Sequence, residues 1–196
     1  MPLDPVKPGW IACIVTSLDM RDRTKPRPSV PGTALRLERW TAPSVDRYRA
    51  LFRRVGEPWL WFSRLALSDS ELEAVIHDPA VEIYAVVDRA GIEIGMLELD
   101  FRTPPHCELS YFGLIPELAG KGHGNWLMDQ ALMRAWRKDV QRVWVHTCTL
   151  DHPAALGFYQ KHGFHPYARA IETFEDPRLS GLLPCDAAPQ IPLIER

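Results

Sequence analysis

Glu108-Leu-Ser-Tyr-Phe-Gly-Leu-Ile-Pro-Glu-Leu-Ala-Gly-Lys-Gly-His-Gly-Asn-Trp-Leu-Met128 decides how the rest of this chain is read. A strand-like run stops at Pro116, and three alternating glycines, Gly120, Gly122 and Gly124, lead into a helix-like stretch. Glycines remove the Cβ atoms that would block close backbone approach. The following helix aims its unbonded N–H groups and positive dipole end at the same loop. Such a turn is suited to a phosphate-bearing ligand; a glycine turn that merely joins strand to helix is the alternative.

Spacing discriminates among phosphate cradles. A P-loop needs Gly-Lys followed by Ser or Thr, whereas Lys121 precedes Gly122, and Gly-x-Gly-x-x-Gly does not occur here. The segment instead resembles motif A of the GNAT superfamily of acyl-CoA-dependent N-acyltransferases, a strand followed by Arg/Gln-x-x-Gly-x-Gly/Ala and a helix. Gly122-His123-Gly124 supplies the Gly-x-Gly, and Ala119 stands where that family places Arg or Gln, a departure that implies either weaker cofactor binding or a positive charge supplied by Lys121. A second stretch, Leu150-Asp-His-Pro-Ala-Ala-Leu-Gly-Phe-Tyr-Gln-Lys-His-Gly-Phe164, is similar to motif B of the same superfamily. Ala155, Leu156, Tyr159, Gly163 and Phe164 fall on its pattern, with His152 in place of the usual Asn. Physical chemistry reads this stretch as a helix independently: Asp151 or His152 as cap, Pro153 in the first turn, Gly163 at the end. The resemblance covers roughly residues 80 to 170.

The resemblance implies acetyl-CoA as co-substrate, held by Phe112, Leu114, Ala119, Gly120, Lys121, Gly122, His123, Gly124, Asn125, His152 and Ala155. His123 bonds phosphate or faces solvent. Where strands splay, backbone N–H groups, that of Leu114 above all, pair with the pantetheine arm and polarise the thioester carbonyl. Tyr159 matches the tyrosine that serves many relatives as general acid toward the leaving thiolate. Glu108 lies six residues before Leu114, where several relatives place a general base; Glu98 and Asp100 on the preceding strand are rivals. The chemistry requires one, because an alkylamine with a pKa of roughly 10.4 is protonated near neutrality and only the free base attacks. A carboxylate partly buried on a strand has its pKa raised, which suits a base. Strict alternation places Glu108, Ser110, Phe112 and Leu114 on one face of the strand.

Composition agrees. The chain has 196 residues, 46% of them apolar, with seven tryptophans, enough for one domain with a sizeable core. A net charge of −2 leaves no electrostatic footprint for nucleic acid. The apolar runs are too short for a membrane span and the start has no signal-peptide core, so a cytoplasmic location is expected. The four cysteines form no Cys-x-x-Cys pair, and if the two strands run parallel, as the motif order of the resemblance implies, His106-Cys107 and His146-x-Cys148 fall at opposite ends; no metal is expected.

Residues 1–32 read as a proline-rich arm or tail, with an apolar patch at Trp10–Val15 that is compatible with an added edge strand. Residues 33–174 read as the catalytic domain and 175–196 as an extended tail. Within the domain, Thr33–Trp40 alternates as a strand, Ser44–Arg54 has helical spacing, and Ser68-Asp-Ser-Glu71 is a capping box. Val81–Val87 and Ile92–Phe101 form a hairpin. Asn125–Lys138 is a helix, Val143–Thr149 a strand, and His165–Phe174 a closing strand. Trp59 and Trp61 line an acceptor pocket or fill the core. The expected fold is α/β: one GNAT-type domain with a mixed, mainly antiparallel, splayed sheet of about six or seven strands and helices on both faces. The expected activity is transfer of an acetyl group to a primary amine of a small molecule or peptide by direct attack in a ternary complex. A catalytically silent acyl-CoA-binding module is the alternative, and a homodimer is compatible with either.

Overall fold

A computed structural model describes residues 3–23 and 34–195; Thr33 and residues 24–32 of the expected arm lie outside the described residues. In chain order the elements are β1 (Trp10–Met20), β2 (Arg36–Trp40), α1 (Val45–Gly56), α2 (Asp69–Ile76), β3 (Val81–Val87), β4 (Glu93–Asp100), β5 (His106–Leu114), α3 (His123–Ala135), β6 (Arg142–Cys148), α4 (Ala155–Lys161) and β7 (His165–Glu175). Local signals place most of them. Ser44 caps α1 by accepting the Arg47 N–H, and Ser68 and Glu71 close the expected capping box on α2. The β3–β4 turn is set by the Asp88 carboxylate, which accepts the N–H groups of Ala90 and Ile92.

The strands form one sheet in the order β2-β3-β4-β5-β6-β1-β7. Every pairing is antiparallel except β5 with β6. Tyr48, Leu51, Phe52 and Val55 of α1 and Leu72 and Ile76 of α2 cover one face; Leu127, Met128, Ala131 and Ala135 of α3, with Tyr159 of α4, cover the other. Each fully buried large side chain contributes about 1.5–3 kcal/mol. Among the described residues no helix is long and apolar enough to cross a membrane.

Three features correct the expectations. Residues 10–20 are neither arm nor tail nor edge strand: β1 lies inside the sheet, with Val15 opposite Cys148 of β6 and Ile14 opposite Ile171 of β7. The apolar patch at Trp10–Val15 continues as Thr-Ser-Leu-Asp-Met, where polarity disguises a strand whose Leu18 and Met20 are buried and whose Asp19 is neutralised by Arg142 at 2.8 Å. Residues 175–196 are not a loose tail over their described part. Arg178 and Asp176 pair at 2.7 Å in the interior, and Leu183, Ala187 and Ala188 join the core under α1. Last, α3 starts at His123 and ends at Ala135, and α4 has Ala154 rather than Asp151 or His152 at its cap.

Two departures from regular pairing shape the site. The parallel ladder between β5 and β6 covers only His106–Glu108 against Arg142–Trp144, so the strands diverge beyond Glu108 and open a wedge. The β4–β5 register also slips: Leu99 opposes Leu109 while Glu98 opposes Tyr111, leaving Ser110 as a bulge.

Candidate active site

The bulge changes what Glu108 faces. Because Ser110 is extra, the alternation resets after it. Tyr111 packs with Phe52 and Trp61 on the α1 face, while Phe112 and Leu114 pack on the opposite face with α3 and α4. Glu108, opposite Asp100, therefore shares a face with Tyr111 and not with Phe112 and Leu114, as strict alternation had it. One cleft of about 800 Å³ nevertheless reaches both, because it passes through the wedge between β5 and β6.

On the α3 side, Ala119, Gly120, Gly122, Gly124 and Asn125 line the cleft. Gly120 and Gly122 have φ of +72° and +81°, and an added Cβ on either meets no atom within 4 Å. Glycine is therefore present for the left-handed backbone and not to avoid a protein neighbour. Among the described residues no acceptor takes the N–H of Gly120 or Gly122. The Ile115 N–H bonds to the Ile94 carbonyl at 3.0 Å, so strand alternation turns the Leu114 N–H the other way, into the wedge. These free donors and the open space fit a pyrophosphate and a pantetheine arm. Phe112, Leu114, His152 and Ala155 also line the cleft; Lys121 and His123 do not.

The other half of the cleft is lined by Asp100 and Glu108, with Glu98 behind it. Glu98 is fully buried, with one oxygen accepting the Tyr48 hydroxyl at 2.6 Å and the other Arg64 Nη2 at 2.6 Å. Asp100 is taken by Arg102, whose Nε and Nη2 bond to a single oxygen while its backbone N–H bonds to the other. Burial works against the Asp100 charge, but these bonds outweigh it and hold the carboxyl below its ordinary range. Both rival bases are thus engaged. Glu108 keeps a free face toward the cleft and lies 3.5 Å from Nδ1 of His146 on β6.

Hydrogen bonding to Glu108 raises the His146 pKa, with burial opposing and the charges of Glu108 and Asp151 assisting. A raised folded pKa means the contribution to stability is complete below the unfolded value of about 6.5 and is lost as pH rises through the folded one. With His146 48% exposed, that contribution is below about 1 kcal/mol. In Glu108→Gln the His146 ring proton titration, followed by NMR, is expected to move to lower pH. An unmoved midpoint refutes the coupling.

Tyr159 lies in the wall on the α4 side, its ring against Phe112, Phe158 and Phe164. Burial, and secondarily the Asp151 charge, push its phenol above the ordinary range, so it stays protonated. His152 accepts the Ala154 N–H through Nδ1 at 3.1 Å and meets the Trp59 ring edge-on. Trp61 does two jobs: it packs on Phe52 and Tyr111, and its Nε1 donates to Asp151, which also ties Thr147 and the Cys148 N–H. Both tryptophans border the cleft.

Sequence reasoning missed His146, Arg64, Tyr111 and Glu172 as cleft residues. His146 carried one signal, its even spacing from Trp144 on a strand expected to run parallel to that of Glu108. Arg64 carried none, since it sits in the irregular segment between α1 and α2. Among the described residues no group of three or more His, Cys, Asp or Glu is placed to hold a metal ion.

A family model described as the acetyltransferase (GNAT) family matches residues 38–164. Among solved structures, a GCN5-related N-acetyltransferase from Sphaerobacter thermophilus aligns with a TM-score of 0.59 at 15% identity, covering 87% of this chain and 53% of that one. The aminoglycoside N-acetyltransferase AAC(6')-Iy in complex with CoA aligns at 0.54 and 16% identity, over 73% of this chain and 96% of that one. An aminoglycoside acetyltransferase, meta-AAC0020, from an uncultured soil metagenomic sample and in complex with sisomicin, aligns at 0.53 and 17% identity, over 66% and 88%. At such identities the likeness is one of fold, and the chain spans about half the length of the Sphaerobacter thermophilus protein. No curated protein matches the sequence.

Proposed function

The chain belongs to the GNAT family of acetyltransferases, and on that premise we propose that it transfers an acetyl group from acetyl-CoA to a primary amine of a small molecule or peptide, without an acyl-enzyme. The observation that carries this is the continuity of the cleft: a glycine cradle, a strand N–H turned into the wedge, a buried phenol and an ion-paired carboxylate all open into one space. Bound acetyl-CoA supplies an activated thioester. Gly120 and Gly122 offer N–H donors to its phosphates, and Leu114 offers one to the carbonyl oxygen as negative charge develops there. The Glu108–His146 pair takes a proton from the acceptor ammonium. The amine nitrogen then bonds to the carbonyl carbon, the carbon–sulfur bond breaks, the departing thiolate takes a proton from Tyr159, and the phenol recovers one from the nitrogen as it becomes an amide. Two similar structures are named as aminoglycoside acetyltransferases, which supports a small-molecule acceptor.

The test is release of CoA thiol from acetyl-CoA against amino acids, polyamines, aminoglycosides and amine-bearing peptides, with Tyr159→Phe alongside. Turnover with one acceptor class, reduced about 10²-fold or more in the variant, is the expected result. Acetyl-CoA binding with no acceptor consumed favours the silent module and sinks the enzyme. The cradle has its own test. Gly122→Ala forces a side chain into left-handed backbone at about 1–2 kcal/mol and is expected to weaken acetyl-CoA binding, read by calorimetry, by about tenfold. Unchanged affinity removes that loop from the donor site.

A further inference from the structure

The acceptor half of the cleft contains spare hydrogen-bonding capacity of both signs. Glu98, Asp100 and Asp151 have both carboxylate oxygens engaged, so among the described residues that line the cleft the carboxylates left to meet an acceptor are Glu108 and, on β7, Glu172, one oxygen of which also accepts the Cys13 thiol at 3.6 Å. The arginines that neutralise the two engaged carboxylates are not themselves used up. Arg64 spends only Nη2 on Glu98, and among the described residues nothing accepts from its Nη1 or from its Nε, which is buried without a partner. Arg102 spends Nε and Nη2 on Asp100 and keeps Nη1. Both arginines line the same cleft as Glu108.

Arg64 is also held still. Its side chain is 14% exposed, its guanidinium lies 5.3 Å from the Tyr111 ring centroid, and Glu98 anchors it from below. Tyr111 is in turn fixed by Ser63 at 2.5 Å. A guanidinium fixed in this way, with donors left over, is preorganised for a planar anion. Glu98 and Asp100 cancel the formal charges of the two arginines, and Glu108, Asp151 and Glu172 make the lining acidic, so the site does not attract anions at long range. It rewards one that arrives attached to something else. Around it the walls are Trp61, Phe62, Tyr111 and Phe174, which favour an apolar or aromatic body.

We propose that the acceptor carries a carboxylate as well as its amine: an amino acid with an apolar or aromatic side chain, its carboxylate on Arg64 with Arg102 beside it and its ammonium on Glu108 and His146. This rests on the amine-acetylating role proposed above and narrows its substrate class. A polycation would leave the arginine donors facing like charge, and a simple amine would leave them unpaired.

The experiment pairs binding with turnover on the full chain. L-Phenylalanine, L-tryptophan and L-methionine are compared with their primary amides and with phenethylamine and tryptamine, by calorimetry without acetyl-CoA and by thiol release with it. The acids are expected to bind about ten- to a hundredfold more tightly than the amides, with the same preference in kcat/KM. Arg64→Gln alone strands Glu98 in the interior, so the variant used is Arg64→Gln with Glu98→Gln, and its melting temperature is recorded. In that variant the acid-over-amide preference is expected to vanish while the amides bind as before. Equal binding of acid and amide, preference for the decarboxylated amines, or no binding of any of these probes overturns the proposal. Turnover confined to polyamines or aminoglycosides overturns it too, and leaves acetyl transfer intact. Selective binding of the acids with no turnover of any acceptor upholds the subsite and sinks the enzyme.

Discussion

Glu108→Gln is expected to lower kcat/KM for the acceptor by about 10²–10⁴-fold while acetyl-CoA affinity stays nearly unchanged. The substitution keeps the side chain's size and removes only its charge and basicity. On the opposite face from Phe112 and Leu114, it does not touch the donor arm of the cleft. Two effects combine. The proton acceptor is lost, and His146 loses the partner that raises its pKa. In the wild type, kcat/KM rises with pH as the pair gives up its proton. In the variant the limb that remains, carried by His146 alone, is expected at lower pH and with a far lower plateau. Full kcat in Glu108→Gln removes the role from this residue. Glu98→Gln and Asp100→Asn are poor rivals, since both carboxylates are already spent on Tyr48, Arg64 and Arg102.

The largest stability effect is expected far from the cleft, at Arg178. Its guanidinium and the Asp176 carboxylate are 2% and 3% exposed and form two parallel bonds of 2.9 and 2.7 Å. The same guanidinium donates to the carbonyls of Ala187 at 3.1 Å and Ile191 at 2.8 Å, so it clamps the C-terminal segment into the core that α1 covers. Removing one partner of such a pair leaves a buried charge uncompensated, at about 3–5 kcal/mol. For a domain of this size each kcal/mol moves the melting temperature by about 2–4 °C. Arg178→Met is therefore expected to melt about 6–20 °C lower, with Asp176→Asn similar and the double variant partly recovered. Lysine is not expected to substitute, because it lacks the fork that reaches Asp176 and the two carbonyls together. A shift no larger than that of an exposed substitution refutes the clamp.

How the molecule was legible follows from the range of the interactions concerned. The capping box at Ser68 and Glu71, the hairpin between Val87 and Ile92, the glycine turn before α3 and the α4 helix depend on neighbours a few residues apart, and each was readable in order along the chain. The tail ascribed to residues 175–196 failed for the opposite reason. Its prolines and short polar runs look unstructured until Arg178 finds carbonyls nine and thirteen residues away and Leu183 finds α1. Strand β1 failed likewise: Thr16 and Asp19 look exposed in sequence, and only partners on β6 and β7 make them interior.

By itself, the sequence determined the family, the mixed sheet with helices on both faces and the glycine turn into α3, because side-chain periodicity and backbone preference act locally. The tertiary structure alone decided which groups meet in the cleft. The Ser110 bulge turned Glu108 away from Leu114, the divergence of β6 brought His146 to it, and the fold of an irregular segment delivered Arg64. A one-residue slip in register, or contact across strands distant in sequence, costs the chain nothing that its local pattern records.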